Sequence, residues 1–290
     1  MKTIIFLLFF SFSISTLLAQ DFYLNSNGVT CMCPDASVGD TGVVNGITYT
    51  KRTKEQITEV NAATTCTSGT IDMNNLFAEN EFFNEDISSW DTSNVTNMAS
   101  LFYATSFNQD IGDWDVSKVT NMKNMFLGAK DFNQPIGDWD VSNVIDMSSM
   151  FAFNTSFNQD IGDWDVSKVT NMQHMFSKSL NFNQDIGDWD VSNVTNMSFM
   201  FGNAFVLVAF NQDLSTWNVM KVNECQYFFA SISLYEPIWT LPQPNFTNCT
   251  PTSFSQDYND SGIEKVKNGD YYGAIADFTK AIEIDPNDAS

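Results

Sequence analysis

The sequence predicts an α/β repeat solenoid of short parallel strands and short helices, followed by a C-terminal α-helical hairpin. Six tryptophans recur along the middle of the chain with gaps of 24, 25, 25, 25 and 28 residues. A phenylalanine follows each tryptophan 12 residues later, so all length variation falls between that phenylalanine and the next tryptophan. A regular period of roughly 20–50 residues is typical of units that bury their apolar faces only by stacking on neighbours.

The recurring aromatic residues are the predicted core of the stack. The tryptophans are Trp90, Trp114, Trp139, Trp164, Trp189 and Trp217. The phenylalanines are Phe102, Phe126, Phe151, Phe176, Phe201 and Phe229. Because strand side chains alternate between two faces, Trp114 and Val116 share one face of a predicted strand while Asp115 lies on the other.

A short helix is predicted behind each strand. Asn121 is a favoured helix N-cap, since its side-chain oxygen accepts a hydrogen bond from the first turn. Met122, Met125, Phe126 and Ala129 then follow at the spacing of one helix face. One repeat is therefore predicted to consist of a strand, a turn, a short helix and a loop.

The repeat wording "WDVSNVTNM..MF..A..FN" resembles that of the BspA-like leucine-rich-repeat surface proteins of bacteria. The resemblance covers about Thr65–Ala230, with a degenerate first copy at Ile71–Phe77 in which Thr65 stands in place of tryptophan. It implies a right-handed, leucine-rich-repeat-like solenoid, exposure at a cell surface, and an adhesive or interaction role. It carries no catalytic residues.

The chain divides into five predicted segments. In chain order these are a signal peptide, an N-terminal capping segment, a solenoid of about seven coils, a C-terminal cap or linker, and a tetratricopeptide repeat. Their bounds are residues 1–19, 20–64, 65–230, 231–254 and 255–290.

The first segment predicts export. Lys2 precedes the apolar stretch "IIFLLFFSFSISTLL", and Ala19 supplies a small residue before a cleavage site at Gln20. The apolar run is short for a membrane anchor, and no later stretch approaches a spanning length, so no stable membrane insertion is expected after cleavage. The net charge of −22 argues against nucleic acid and anionic membranes as partners.

Five cysteines in an exported chain predict disulfides at the two ends of the solenoid, with one thiol left over. These are Cys31, Cys33, Cys66, Cys225 and Cys249. A Cys225–Cys249 bridge would tie the C-terminal cap to the core. His174 is the sole histidine, and no cysteine spacing fits a zinc site, so no metal cluster is expected.

The N-terminal segment is predicted to cover the first open coil. A strand near Ile47–Thr50 precedes a helix near Lys54–Val60, whose Thr53 and Gln56 fit a capping box. A small basic cluster sits here in an otherwise acidic protein. The cluster consists of Lys51, Arg52 and Lys54, and it is either a contact for a partner or the solvated start of the helix.

The C-terminal segment Tyr258–Ala289 resembles a tetratricopeptide repeat. Gly262 fits the small residue of the first helix, and Ala274, Phe278 and Ala281 lie on the packing face of the second. The turn is expected at Gly269–Tyr271, and Pro286 closes the unit. Since arrays of this kind need about three repeats, the chain is expected to be truncated at Ser290.

Two aspartate ladders are the candidate binding residues. One precedes the tryptophans and the other follows them: Asp113, Asp138, Asp163 and Asp188 in the first, and Asp91, Asp115, Asp140, Asp165 and Asp190 in the second. Like charges in register repel one another, so the recurrence of these aspartates indicates that they provide a compensating benefit, such as the binding of a ligand. The expected partner is a protein or glycan ligand on another cell or in the matrix.

Three other interpretations of the aspartates remain. They could bond turn amides and keep the surface soluble, which is a purely structural role. They could bind calcium between coils of a structural spacer that presents the tetratricopeptide repeats, although their spacing fits no EF-hand loop. A hydrolase is disfavoured, because a catalytic pair needs two carboxylates with different surroundings and these recur with the same neighbours. No catalytic residue is therefore assigned, and no cofactor beyond calcium.

Overall fold

The computed structural model describes residues 21–202, 209–229, 240–250, 254–268 and 271–284. The predicted signal peptide lies outside these ranges, as do Ala230, residues 231–239 of the predicted linker, the expected turn at Gly269–Asp270, and the last residues from 285 to Ser290. Within the described ranges, no helix combines the length and the apolarity that a bilayer crossing would require.

The N-terminal part contains two small sheets. Its strands are β1 (Tyr23–Leu24), β2 (Cys31–Met32), β3 (Thr41–Val44), β4 (Ile47–Lys51) and β5 (Thr65–Cys66). β1 pairs with β2 in antiparallel fashion, β3 and β4 form an antiparallel hairpin, and β5 adds to β4 in parallel. Asn45 and Gly46 close the hairpin with φ of 50° and 82°, the left-handed conformation that two-residue hairpin turns require.

The predicted strand at Ile47–Thr50 is confirmed as most of β4. The predicted helix at Lys54–Val60 is wrong in extent, because it is reduced to a 3₁₀ turn at Lys54–Gln56. The backbone N–H of Thr53 donates to Gln56 Oε1 at 3.1 Å, as the capping box predicts. A second 3₁₀ turn, Ala62–Thr64, leads into β5.

The predicted fold class is wrong for the middle of the chain. Between residues 71 and 229, the described residues contain turns and isolated bridges but neither strand nor helix. They therefore do not build an α/β solenoid of the leucine-rich-repeat type. Each repeat instead contributes a single bridge residue that pairs in parallel with the same position of the next repeat. The bridged residues are Asp72, Asn97, Asn121, Asp146, Asn171, Asn196 and Glu224. We call this part of the chain the repeat stack.

Backbone hydrogen bonding explains why the helix does not form. Alternate N–H groups from Met122 to Gly128 donate to carbonyls of the following repeat, for example Phe126 N to Met150 O at 2.9 Å. The intervening N–H groups close turns within the repeat, such as Met125 N to Met122 O at 3.1 Å. A helix would direct all of these groups to carbonyls four residues earlier. Positive φ at Asn124 (57°) is incompatible with a continuing right-handed helix.

The peptide groups that link repeats along the segment from Asn121 to Gly128 point the same way. In the second tryptophan repeat, the carbonyl of Asn121 accepts from the repeat before, and the N–H of Met122 donates to the repeat after. The same holds for the peptide between Leu127 and Gly128. The peptide groups at Thr120 point the other way, since the N–H of Thr120 donates to the carbonyl of Thr96 in the preceding repeat.

The predicted core is confirmed with one exception. The tryptophans are 0–4% exposed, and Phe102, Phe126, Phe151, Phe176 and Phe201 are at most 2% exposed. Ring centroids of successive phenylalanines in this series lie 5.6–5.8 Å apart. The prediction for Phe229 is wrong, because this residue is 40% exposed. The fully buried Phe228 before it lies three residues after Cys225, as Met125 lies three after Met122, so phenylalanine replaces methionine at that core position.

Two helices follow the stack, in the region where a hairpin is predicted. They are α1 (Phe254–Lys267) and α2 (Tyr271–Ile284). Ala274 and Ala281 are each 1% exposed. A Cβ at Gly262 would lie 2.6 Å from the Phe278 ring, so the small residue allows the close approach of α1 and α2. The helical pair is confirmed, while its tetratricopeptide type stays a prediction.

Candidate functional site: aspartate rows on the repeat stack

The aspartates that follow tryptophan form one row, here called the turn row: Asp91, Asp115, Asp140, Asp165 and Asp190. In each repeat the serine two residues later donates its backbone N–H to the aspartate Oδ1 at 3.0–3.1 Å. At Asp115 the Ser117 hydroxyl also donates, at 2.6 Å. These Asx turns give the row a structural role, since a side-chain acceptor satisfies a backbone donor that no neighbouring strand takes up.

The electrostatics of the turn row agree with that role. Hydrogen bonds from the hydroxyl and backbone of Ser167 lower the pKa of Asp165, because they stabilise the charged carboxylate. Ser192 lowers the pKa of Asp190 in the same way, although the nearby charge of Asp165 acts in the opposite direction. Both carboxylates therefore accept hydrogen bonds from serine, and these hydrogen bonds are stronger when the carboxylate is ionised.

Asp91 is the one member of the predicted binding ladders that is not exposed. It is 3% exposed, so its prediction as a surface ligand is wrong. The N-terminal segment packs against this first tryptophan repeat: the Thr67 hydroxyl donates to the Asp91 carbonyl at 3.0 Å. The N–H of Cys31 donates to the carbonyl of Ser89 at 2.8 Å.

The aspartates that precede tryptophan behave differently, and we call them the open row: Asp113, Asp138, Asp163 and Asp188. All four are exposed. In the described part of the chain, none of these carboxylates makes a hydrogen bond or an ion pair. The row ends at both sides in uncharged residues, Ser89 before Trp90 and Thr216 before Trp217. The open row is thus the set of predicted site residues that the fold leaves available.

A third row alternates asparagine and lysine beside the aspartates. Lys118 Nζ donates to Asn94 Oδ1 at 3.0 Å, and Lys168 Nζ donates to Asn143 Oδ1 at 2.6 Å. Lys221 Nζ repeats the contact with Asn193 at 2.6 Å. A lysine therefore occurs in every second repeat and offsets part of the acidic charge of the surface.

The most regular polar feature of the stack is an asparagine–glutamine ladder in the "FNQ" segments, which was not predicted from the sequence. The N–H of Asn133 donates to Asn108 Oδ1 at 3.0 Å, and Gln134 Nε2 donates to both oxygens of Asn108 at 2.9 Å. The next repeat continues the pattern, with Asn158 N bonded to Asn133 Oδ1 at 2.9 Å. The signal was present, because two amide residues recur unchanged where exposed polar residues normally vary.

Two features that could have indicated enzyme chemistry have structural surroundings. The His174 ring stacks on the Phe199 ring with centroids 4.6 Å apart, and burial lowers the pKa of His174. The structure does not bring His174 and a carboxylate together through any described hydrogen bond. Throughout the described residues, moreover, no three histidine, cysteine, aspartate or glutamate side chains converge into a group that could hold a metal ion.

The basic cluster of the N-terminal segment contacts backbone carbonyls and the first repeat. Lys51 Nζ donates to the carbonyl of Cys33 at 2.9 Å, and Arg52 donates to the carbonyl of Thr64 at 3.0 Å. Lys54 contacts Asn74 and lies 3.7 Å from the Asp72 carboxylate. The contacts of Lys54 hold the basic cluster against the first repeat of the stack.

The cysteines form two disulfides, and they lie at the two ends of the stack as predicted. Cys33 bonds to Cys66, and Cys225 bonds to Cys249. Cys31 is the free and buried thiol. Burial, and then the charge of Asp91, raise the pKa of Cys31 to about 11.

The fold and these rows define a protein built from stacked repeats, with an aromatic core, a polar ladder and disulfide-tied ends. A family model described as "Mycoplasma protein of unknown function, DUF285" matches residues 48–152 and again residues 134–239, so the two matches together cover more than half of the chain. The chain belongs to this family. No curated protein and no solved structure matches the chain.

Proposed function

We propose that the protein is a secreted or cell-surface binding protein without catalytic activity, which recognises a protein or glycan ligand through the open row. The observation that carries this proposal is the contrast between the two aspartate rows. The turn row is engaged in Asx turns, whereas Asp113, Asp138, Asp163 and Asp188 are exposed and make no contact in the described part of the chain.

Energetics support a function for the open row. Carboxylates in successive repeats are separated by about the repeat spacing, which is 5.6–5.8 Å between core phenylalanines. In water, two such charges repel by less than about 1 kcal/mol. This small cost recurs between each pair of neighbours and brings no hydrogen bond in return. A ligand that supplies hydrogen-bond donors or positive charge along the row would remove the repulsion.

The two disulfides and the family support an extracellular location, since disulfides persist in oxidising compartments. The signal peptide predicted at residues 1–19 agrees with this location. The identical surroundings of the open-row carboxylates support a binding role over a catalytic one, because hydrolysis requires two carboxylates in different environments.

A binding screen of the purified chain against arrayed glycans and surface proteins tests the proposal. The open-row variant D113N/D138N/D163N/D188N is compared with a control, D21N/D35N/E85Q/E264Q, which removes four exposed acidic charges away from the row. We expect selective binding that the open-row variant loses and the control retains. Equal binding by both variants would refute the role of the row. Each measurement is repeated with calcium and with a chelator, and dependence on calcium would favour the calcium interpretation instead.

A further inference from the structure

A second surface feature shares no residue with the open row. Fourteen residues after each tryptophan position stands a residue with positive φ: Glu79, Ala104, Gly128, Phe153 and Lys178, with φ of 65°, 54°, 72°, 58° and 61°. Backbone hydrogen bonds of 2.7–2.8 Å join this column from repeat to repeat. The column therefore carries large side chains at Glu79, Phe153 and Lys178, and almost none at its second and third members, Ala104 and Gly128.

The missing side chains leave a notch, a cavity of about 610 Å³ that crosses four repeats. Packing does not require glycine at its centre. A Cβ at Gly128 would approach no atom closer than 3.6 Å, and four other members of the column hold positive φ with a side chain. The notch therefore exists because the side chains at these positions are small, and the backbone conformation would also accommodate larger ones.

An exposed aromatic ring forms one end of the notch. Phe153 is 46% exposed, at a position where the neighbouring repeats carry lysine and glycine. Lys178 Nζ, from the following repeat, lies 4.5 Å from the Phe153 ring centroid and covers one face of the ring. The opposite face is directed to the preceding repeat, where Gly128 has no side chain to cover it. A cation is attracted to such a face by the ring quadrupole.

Carboxylates surround the remainder of the notch. Glu79, Glu81 and Asp131 line it against a single lysine, Lys130, so its lining is net negative. Lys178 lies behind the ring and is not part of the lining. Tyr103 adds a second aromatic side chain. An open ring face with a carboxylate in the adjacent repeat matches a guanidinium group, which stacks through its plane and donates hydrogen bonds along its edges.

We propose that the notch binds an arginine side chain presented by an extended segment of a partner protein. The guanidinium stacks on the open face of Phe153 and donates to the carboxylate of Asp131 in the adjacent repeat, while Glu79 and Glu81, three repeats from Phe153, add negative potential at the far end of the notch. This interaction is independent of the open row and would give the protein a second contact on the repeat stack.

The test measures fluorescence polarisation of a labelled Ac-Gly-Arg-Gly-Arg-Gly-amide peptide with the full purified chain, and uses Ac-Gly-Gln-Gly-Gln-Gly-amide as the reference peptide. We expect saturable binding of the arginine peptide alone. Phe153→Ser should weaken it by at least about threefold, because the stacking surface is lost. Gly128→Asn, which tolerates positive φ, should fill the notch and weaken binding similarly.

Charge-matched controls separate the notch from general acidity. E79Q/E81Q should weaken binding by roughly threefold or more, whereas D21N/D35N, with the same charge change elsewhere, should have less effect. Lys178→Gln should leave binding unchanged or stronger, since it removes only the cation behind the ring. Full binding by both Phe153→Ser and Gly128→Asn would overturn the proposal, and so would an equal loss in D21N/D35N. Binding that disappears in the open-row variant would assign the peptide to that row instead.

Discussion

The indole Nε1 of Trp139 donates a hydrogen bond to the carbonyl oxygen of Ile111, one repeat earlier, at 3.1 Å. The same bond recurs at every tryptophan of the stack, to Ala62 in the first case and to an isoleucine in each of the others. Tryptophan therefore both fills the core and adds a second donor to a carbonyl that already closes a turn, since the N–H of Trp114 also donates to Ile111 O at 3.1 Å. This double role explains why no other aromatic residue replaces it.

Trp139→Phe should lower the free energy of unfolding by about 0.5–1.5 kcal/mol, because an aromatic ring is retained while the Ile111 carbonyl loses the indole donor and keeps only the N–H of Trp114. Urea unfolding followed by circular dichroism measures the change. Ile145→Thr, at a residue that is 49% exposed, is the control and should change stability little. An unchanged unfolding midpoint for Trp139→Phe would show that the indole hydrogen bond contributes nothing.

Asn133→Ala should destabilise the stack by about 1–3 kcal/mol. Asn133 Oδ1 accepts from the N–H of Asn158 and from Gln159 Nε2, and both donors would lose this partner. Asn133→Asp keeps the acceptor oxygen and should retain most of the stability. The two variants are compared by urea unfolding. Equal loss in both would indicate that the amide N–H₂ group, and not the acceptor, matters.

Removal of the Cys225–Cys249 disulfide by C225S/C249S should lower stability by about 3 kcal/mol, since the bond restricts a loop in the unfolded chain. Thermal unfolding without reductant measures the loss. Reduction of the original protein should lower the transition further, because the Cys33–Cys66 bond is then broken as well. A transition that is insensitive to both treatments would contradict the stabilising role of the bridges.

Cys31 should resist alkylation in the folded protein. Burial and the charge of Asp91 raise the pKa of the Cys31 thiol to about 11, so little thiolate is present at pH 8. Mass spectrometry after iodoacetamide treatment should find no modification until urea unfolds the chain, and then one labelled thiol. Cys31→Ser should abolish that label. Rapid labelling of the folded protein would contradict the buried position.

Asp165 should titrate below the ordinary aspartate value, because Ser167 donates two hydrogen bonds to it. Its folded-state pKa is depressed, so its contribution to stability is complete above the unfolded value of about 3.9 and disappears as the pH falls through the lower folded value. Carbon-detected NMR titration of the carboxylates measures this directly. Ser167→Ala should raise the Asp165 midpoint. A midpoint that does not move would exclude the Asx turn as the cause.

Much of the core could be predicted from the sequence, because the spacing of the apolar residues indicates which side chains are buried, whether the backbone forms a helix or a series of turns. Met122, Met125, Phe126 and Ala129 are all fully buried, as the helical spacing predicts. The helix itself was predicted wrongly, since apolar spacing carries no information on φ. The positive φ of Asn124 directs alternate N–H groups to the next repeat. This backbone conformation depends on a neighbouring repeat that supplies the acceptor carbonyls.

The ends of the stack were harder to predict, because they depend on contacts across distant parts of the chain. Asp91 has a local sequence similar to those of the other aspartates in the turn row, and it differs from them in exposure because the N-terminal segment covers it. Phe229 keeps the register of the core phenylalanines but is 40% exposed, although its five sister residues are buried. The open row was predictable as a row, but its separation from the turn row required the serine contacts.

The regular hydrogen-bond pattern between repeats makes the number of repeats adjustable. Because every repeat offers the same set of backbone donors and acceptors to its two neighbours, an added or deleted copy presents the same surfaces as the original did. The segments Phe107–Met122 and Phe157–Met172 have identical sequences, so recombination between them would remove two copies without creating a new junction. Related proteins could thus differ in reach and in the number of open-row carboxylates while keeping both disulfide-tied ends unchanged.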